Sequence, residues 1–145
     1  MSALKNKIVL VTGGSGLLGK EIISDIIRKE GVALNLDISH ETDLKQNQIK
    51  CDVTSEKSIE NAMKRVVEKY GKIDGIVNNA YPRTKDWGIG FEKMSAESLS
   101  KNVDKQMNSY LNFCKAAIPY FRETGKGSVV NMTSIYGVVG NNFNI

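Results

Sequence analysis

Short apolar runs alternate along the chain with amphipathic segments, and this pattern predicts alternating strands and helices. Residues 7–12 form a continuous apolar run, typical of a strand buried on both faces of a sheet, and further strands are predicted over 32–37, 49–53, 73–80 and 127–134. Apolar residues at helical spacing predict helices after Leu18, from Ile59 to Tyr70 and after Ser95. The chain is therefore expected to form one α/β domain, a Rossmann-type doubly wound parallel sheet.

Glycine and serine residues mark the ends of the predicted helices. Gly31 stands where a left-handed residue would close the first helix, and Gly71 ends the second. Ser95 is expected to cap the start of the third helix. That helix is expected to bury an apolar stripe made of Leu99, Val103, Met107, Tyr110, Phe113, Cys114, Ala117 and Phe121.

The glycine-rich segment "TGGSGLLGKE" (12–21) matches parts of two phosphate-binding loops. Read as G-x-x-x-x-G-K it is close to a P-loop, but that loop needs Ser or Thr next to ligate Mg²⁺, and the residue is Glu21. Read as T-G-x-x-G-x-x-G it is a dinucleotide-binding turn. Gly13 then makes the tight turn, Gly16 lets the backbone approach the pyrophosphate, and Gly19 lets the helix pack closely on the sheet. The dinucleotide interpretation is favoured, and its cofactor-binding candidates here are Thr12, Gly13, Ser15, Gly16, Leu17, Leu18 and Gly19.

An acidic residue at the end of the second strand agrees with the dinucleotide interpretation. Asp37 ends "VALNLD", about 20 residues after the glycine loop, where such a site needs an acid to bond the adenosine ribose. Its charge would repel a 2′-phosphate, and no arginine stands beside it in sequence. The expected cofactor is therefore NAD, with NADP less favoured. The alternative, that Asp37 is only a turn or helix-cap residue, stays open at this point.

Several short segments occur in the order found in one enzyme family. They are "TGGSGLLG" (12–19), "LD" (36–37), "CDVT" (51–54), "NNA" (78–80) and "NMTSIYG" (131–137). In these segments the chain resembles the short-chain dehydrogenase/reductase family, which implies hydride transfer between a nicotinamide cofactor and a carbonyl or alcohol substrate. The resemblance implies that Asp52 and Val53 hold the adenine ring. It also implies that Asn78, Asn79 and Ala80 lie beside the cofactor, and that Ser134 is the catalytic serine.

The substrate expected from the resemblance is a sugar or a sugar derivative. The spacing G-x-x-G-x-x-G is nearer to the sugar-nucleotide-modifying branch of the family, whereas "NNA" and "NMTS" are typical of its shorter branch. The segments "NNAYPR" and "SIYGVVG" resemble enzymes associated with flagellin-glycan or nonulosonic-acid biosynthesis.

Three features depart from the family pattern. Tyr81 and Pro82 replace the glycine that usually follows "NNA", and Gln106 aligns with the asparagine that supports a proton relay. The family's acid/base pair, Tyr-x-x-x-Lys, should follow the serine, but the one such spacing joins Tyr81 to Lys85 and precedes it. We therefore expect residues 1–145 to be a single dinucleotide-binding domain, incomplete at the C-terminus and truncated after the fifth strand.

Two hypotheses about function follow from these departures. The first is an NAD(P)-dependent oxidoreductase of the short-chain dehydrogenase type whose acid/base pair lies outside this sequence. The second is a catalytically inactive NAD-binding fragment, or a module completed by another chain.

Composition and charge narrow the range of partners. The 20 lysines and arginines are scattered, so the net charge of +4 predicts a solvated surface and no nucleic-acid interface. No apolar run reaches the roughly 18 residues of a membrane span, and the N-terminus lacks a signal-peptide cleavage region, which predicts a cytoplasmic protein. Cys51 and Cys114 match no metal or disulfide framework. The expected partner is a small molecule, and an uncharged fifth strand at the sheet edge also predicts self-association into a homo-oligomer.

Overall fold

Five parallel strands form one sheet in the computed structural model, which describes residues 2–139. The strands are β1 (Ile8–Thr12), β2 (Val32–Asp37), β3 (Gln48–Lys50), β4 (Gly75–Asn78) and β5 (Ser128–Asn131), in the order β3-β2-β1-β4-β5. The helices are α1 (Leu17–Arg28), α2 (Glu56–Tyr70), α3 (Ala96–Val103) and α4 (Ser109–Thr124). The predicted Rossmann-type parallel sheet is confirmed.

Helices cover the two faces of the sheet unequally. On one face, α2 and α4 pack Met63 and Phe113 against Leu10 and Leu34. On the other face, α1 covers only the part of the sheet near Val11. Because successive strand residues point to opposite faces, burial on both sides explains the continuous apolar run of β1.

An open groove remains on the second face, beside α1 and over β4 and β5. It has a volume of about 680 Å³, and Ile22, Val77 and Val130 are among its apolar lining residues. The four residues of β5 are exposed. Within the described residues β5 is thus an edge strand, as predicted, while the predicted uncharged segment beyond Val139 lies outside them.

The predicted third, fourth and fifth strands were too long. Ladder pairing ends at Lys50, Asn78 and Asn131, so the apolar residues that follow lie beyond the last paired position. The backbone N–H of Cys51, for example, donates a hydrogen bond to the Asp37 carbonyl. After β3, Cys51 and Val53 stay buried beyond the end of the hydrogen-bonded ladder, so the apolar pattern there reports burial and not strand pairing.

A buried carboxylate joins the amino ends of β1 and β4. Asp74 accepts a hydrogen bond from the backbone N–H of Ile8 at 2.9 Å and pairs with Lys7 and Lys72. Burial opposes its ionisation, but the hydrogen bonds from Lys72, Ile8 and Lys7 together hold its pKa below the usual value. The ionised carboxylate therefore ties these two strands together where they begin.

The end of α1 differs from the prediction. Glu30, with φ of 61°, is the left-handed residue, and its N–H donates to the Ile27 carbonyl at 2.9 Å. A Cβ on Gly31 would lie 2.8 Å from Ile26 Cγ2, so this glycine provides space and does not provide the left-handed conformation. The predictions for the other two helices are confirmed: Gly71 has φ of 74°, and Ser95 Oγ accepts from the Ser98 N–H at 3.1 Å.

The predicted buried stripe of the third helix was wrong in its first half. The helix is two segments, α3 and α4, joined by a π-helical turn over Asp104–Asn108. Its buried side begins with the polar residues Ser98 and Asn102, because the loop after β4 hydrogen-bonds to them. The apolar residues of the outer side form an exposed stripe of Leu99, Val103, Met107, Leu111 and Ile118.

None of these helices, within residues 2–139, combines the length and apolar character needed to cross a membrane.

Candidate functional site

A cleft of about 190 Å³ lies at one edge of the sheet, and we refer to it as the cleft. It is formed where the carboxyl ends of β1, β2 and β4 meet the segment after β3. Parallel strands bring their carboxyl ends to one edge of the sheet, which is where ligands bind in such folds. The cleft is lined by Gly13, Leu36, Asp37, Ile38, Cys51, Asp52, Val53, Ala80, Tyr81 and Pro82. Five predicted cofactor-binding residues from four segments are thus together. The larger groove beside α1 contains none of the predicted site residues.

The turn between β1 and α1 depends on close backbone contacts. Gly13 has φ of 65°, and a Cβ there would lie 2.8 Å from the Ala80 Cα. A Cβ on Gly19 would overlap the Gly13 carbonyl oxygen and approach the Gly14 Cα to 2.7 Å. Gly19 therefore lets the start of α1 pack on the loop itself, whereas the expected contact was between the helix and the sheet.

The start of α1 offers an open place for an anion. A Cβ on Gly16 would meet only the Gly13 carbonyl oxygen, at 3.2 Å, and the neighbouring side chains of Leu17 and Leu18 are exposed. The first N–H groups of a helix have no intrahelical acceptor and carry the positive end of the helix dipole. No acidic side chain lies in the first turn of α1. This cradle fits the pyrophosphate of a dinucleotide.

Asp37 connects the cleft to the glycine loop. Its Oδ2 accepts from the Ser15 N–H at 3.1 Å, and its Oδ1 accepts from the Ser39 N–H at 2.9 Å. Burial opposes the charge, but hydrogen bonds from Ser39 and Ser15 lower the pKa of Asp37 below its usual value. The carboxylate is therefore ionised at neutral pH, and each oxygen keeps a lone pair for a further donor.

Thr12 holds β1 and β4 together at this edge. Its Oγ1 accepts from the N–H groups of Asn79 and Ala80, each at 3.0 Å, and donates to the Val77 carbonyl at 3.4 Å. These bonds use the whole capacity of the hydroxyl. Asn79 Nδ2 also donates hydrogen bonds to the carbonyls of Thr12 and Gly13. The side chains of Thr12 and Asn79 therefore hold in place the strand ends and the glycine turn that form the cleft.

The segment after β3 forms a turn of its own. Asp52 Oδ1 accepts from the N–H and the hydroxyl of Thr54, at 2.9 and 2.7 Å, while Val53 is buried. Burial raises the pKa of the Cys51 thiol to about 11. Cys51 is therefore a neutral, unreactive lining residue of the cleft.

Asn78 is buried at the end of β4, between β5 and α4, and Gln106 belongs to the third helix. Asn78 Nδ2 donates to Asn131 Oδ1 at 2.8 Å and so braces β5 against β4. Gln106 lies in the π-helical turn, and its Nε2 is buried without a hydrogen-bond partner among the described residues. Gln106 stands where the family resemblance implies a relay asparagine, and a relay role for it stays untested.

Ser134 is separate from the cleft lining. It follows β5 at the same edge of the sheet, and its Oγ accepts from the Tyr136 N–H at 3.2 Å. Tyr81 and Lys85, the pair with Tyr-x-x-x-Lys spacing, lie in the loop after β4 and not on a helix. Within residues 2–139, no cluster of three or more potential metal ligands is present.

Five lining residues of the cleft were not predicted as cofactor-binding residues: Leu36, Ile38, Cys51, Tyr81 and Pro82. Tyr81 and Pro82 line it, although the sequence analysis treated them only as departures from a family pattern. Their position directly after an apolar strand was the available signal, because that position lies at the carboxyl edge of a parallel sheet.

Comparisons with known proteins agree with this geometry. The short chain dehydrogenase family model matches residues 7–145. Post-translational flagellin modification protein A of Campylobacter coli is 31% identical, over 97% of this chain and 60% of its own length. A short chain dehydrogenase from Leptospira borgpetersenii with bound NAD⁺ superposes with a TM-score of 0.81 at 26% identity, over 96% of this chain and 56% of that one. The ligand-free aldohexose dehydrogenase of Thermoplasma acidophilum superposes with a TM-score of 0.82 at 28% identity, over 97% of this chain and 55% of that one.

The sheet order, the glycine turn and the acid after β2 are those of a Rossmann-type fold. With the family match spanning nearly its whole length, the chain belongs to the short-chain dehydrogenase family, whose fold binds nicotinamide cofactors. The chain spans 50–60% of the length of the curated relatives it matches.

Replacing Gly13 tests the glycine turn. Gly13→Val is expected to abolish binding of NADH and of ADP-ribose, because the added atoms would collide with Ala80 and β-branched residues avoid positive φ. Calorimetric titration measures this, with circular dichroism to check folding. Glu21→Ala is the control: Glu21 lines the α1 groove and not the cleft, so affinity should stay unchanged. Tight Mg-ATP binding would favour the P-loop interpretation.

Proposed function

We propose that this chain is the cofactor-binding part of an NAD-dependent oxidoreductase that acts on a carbonyl or alcohol group of a small molecule. The observation that carries the proposal is the meeting of an open helix N-terminus and an ionised carboxylate, Asp37, at one edge of the sheet. The first suits a pyrophosphate and the second suits the hydroxyls of a ribose. Nothing in the comparisons favours the alternative of an inactive nucleotide-binding module.

The charges of the cleft support NAD over NADP. Asp37 and Asp52 both line it, and no Lys or Arg is present among its described lining residues. A 2′-phosphate on the adenosine ribose would therefore meet negative charge without a compensating cation. The Leptospira relative with bound NAD⁺ has the same fold at 26% identity.

In the proposed reaction this chain's residues bind and orient. A bound nicotinamide supplies or accepts the hydride. The α1 N-terminus and Asp37 hold the cofactor, while Asn78 and Asn79 keep β4 aligned with its neighbours. Ser134 donates a hydrogen bond to the substrate oxygen, which fixes the reacting carbon at hydride-transfer distance.

A sugar or sugar derivative is the proposed substrate class. The glycine spacing of the loop supports it, as do the similarities to a flagellin modification protein and an aldohexose dehydrogenase. The proposed location is the cytoplasm, which fits the two free cysteines.

The cofactor preference is tested by reversing the charge at Asp37. Asp37→Arg is expected to weaken NADH binding by about tenfold to a hundredfold, since a hydrogen bond to a charged group is lost. NADPH binding should improve in the same variant. Glu41→Arg makes the same charge change in the same loop but outside the cleft, and should leave both affinities unaltered. Wild-type protein that binds NADPH as tightly as NADH would contradict the proposal.

The proposed role of Ser134 is tested by turnover. In the protein as expressed from its own gene, Ser134→Ala should lower kcat for aldose substrates by about 10²–10³-fold, because a donor to the reacting oxygen is removed. Affinity for NADH should stay the same, since Ser134 does not line the cleft. Thr133→Ala is the matched control and should retain turnover. Turnover is followed by the absorbance of the nicotinamide. Equal turnover by Ser134→Ala and the wild type would rule out this role.

Self-association is proposed through the exposed stripe on α3 and α4. Its apolar residues are 40% to 59% exposed, and a homo-oligomer would cover them. Met107→Lys together with Leu111→Lys should shift the protein toward monomer in light scattering. Glu123→Lys, outside the stripe on the same helix, should leave the mass unchanged. A wild-type monomer at high micromolar concentration would exclude this association.

A further inference from the structure

Tyr81 is an unexpected side chain at the mouth of the cleft. It follows β4 directly at the carboxyl edge of the sheet and lines the cleft together with Pro82. Its side chain is 54% exposed, so a large aromatic surface faces open space beside the residues proposed to hold a cofactor.

An aromatic neighbour restrains the Tyr81 ring. The rings of Tyr81 and Trp87 meet edge to face, with centroids 5.6 Å apart and planes at 84°. This is a favoured geometry for an aromatic pair.

The loop between the two aromatic residues is anchored to α3. The Thr84 N–H donates to Asn102 Oδ1 at 3.0 Å, and Ser98 Oγ donates to Asp86 Oδ1 at 2.7 Å. Asn102 Nδ2 also donates to Thr84 Oγ1 at 2.8 Å. Because Ser98 and Asn102 are buried, these bonds are partly shielded from water. The loop is held in place before any ligand arrives.

We propose that Tyr81 is a cofactor-contacting residue whose ring packs against the adenosine half of the dinucleotide. The inference rests on the proposed function. The other lining residues indicate which half of the dinucleotide the cleft would hold. Asp37 suits the ribose of adenosine, and Asp52 and Val53 lie where the adenine would be. Tyr81 shares this cleft with them, so its ring contacts the same half. Because the loop is already ordered, an aromatic ring on it strengthens binding without the entropy loss of ordering the loop when the ligand binds.

The contact is made by the aromatic face, so the ring and the hydroxyl have different predicted effects. Tyr81→Gly should weaken binding of both NADH and ADP-ribose by about fivefold or more, the range of one lost base–aromatic contact. Tyr81→Phe keeps the ring and should bind both ligands as the wild type does. Tyr136→Gly is the matched control, because Tyr136 is similarly exposed at 52% but does not line the cleft.

Titration calorimetry measures these affinities directly. Trp87 provides a second readout, since it is the only tryptophan of the chain and NADH absorbs where tryptophan emits. If Tyr81→Gly loses its native circular dichroism spectrum, Tyr81→Leu takes its place, because leucine removes the aromatic face while keeping an apolar side chain.

The pattern of outcomes separates this inference from the proposed function. Parallel losses for NADH and ADP-ribose in Tyr81→Gly, with Tyr81→Phe unaffected, support the inference. Unchanged ADP-ribose affinity in Tyr81→Gly overturns it, and a loss confined to NADH would assign Tyr81 to the nicotinamide half. If wild-type protein binds neither ligand, the proposed function itself fails.

Discussion

The contact between β1 and β4 is the constraint on which the candidate site depends. Asp74 joins the amino ends of these strands, and the Thr12 hydroxyl joins their carboxyl ends through the N–H groups of Asn79 and Ala80. Ala80 is thereby drawn so close to the glycine turn that residue 13 has no room for a side chain. The tight turn, the open start of α1 and the cleft beside it are consequences of this one strand pairing.

Electrostatics divides the site into two parts with opposite character. The N-terminus of α1 presents unpaired N–H groups and no acidic side chain in its first turn, which favours a negatively charged ligand group. The cleft presents the carboxylates of Asp37 and Asp52, which favour hydroxyl and amine donors and disfavour phosphate. A ligand with phosphates in its middle and a ribose at one side matches this arrangement, and a nucleoside triphosphate with Mg²⁺ does not.

Local signals in the sequence predicted much of the fold, and tertiary contacts account for the errors. The span of β2, the left-handed Gly71 and the Ser95 cap depend on neighbouring residues, and all three were predicted correctly. The stripe on the third helix was wrong because the loop at Thr84 and Asp86 supplies hydrogen bonds that bury Ser98 and Asn102. Tyr81 was missed as a lining residue because its place in the cleft follows from strand order, which periodicity does not show.

Asp37 has two roles that cannot be separated by simple deletion. Its carboxylate accepts the Ser15 N–H of the glycine loop before any ligand is present, and Asp37 also lines the cleft where a ribose is proposed to bind. Because the folded-state pKa is lowered, both roles are retained at neutral pH and are lost together only in acid, as the pH falls through that lowered value. In the proposed function the same charge would order the loop for the pyrophosphate and disfavour a phosphate on the ribose, so cofactor affinity and cofactor preference would be coupled through one side chain.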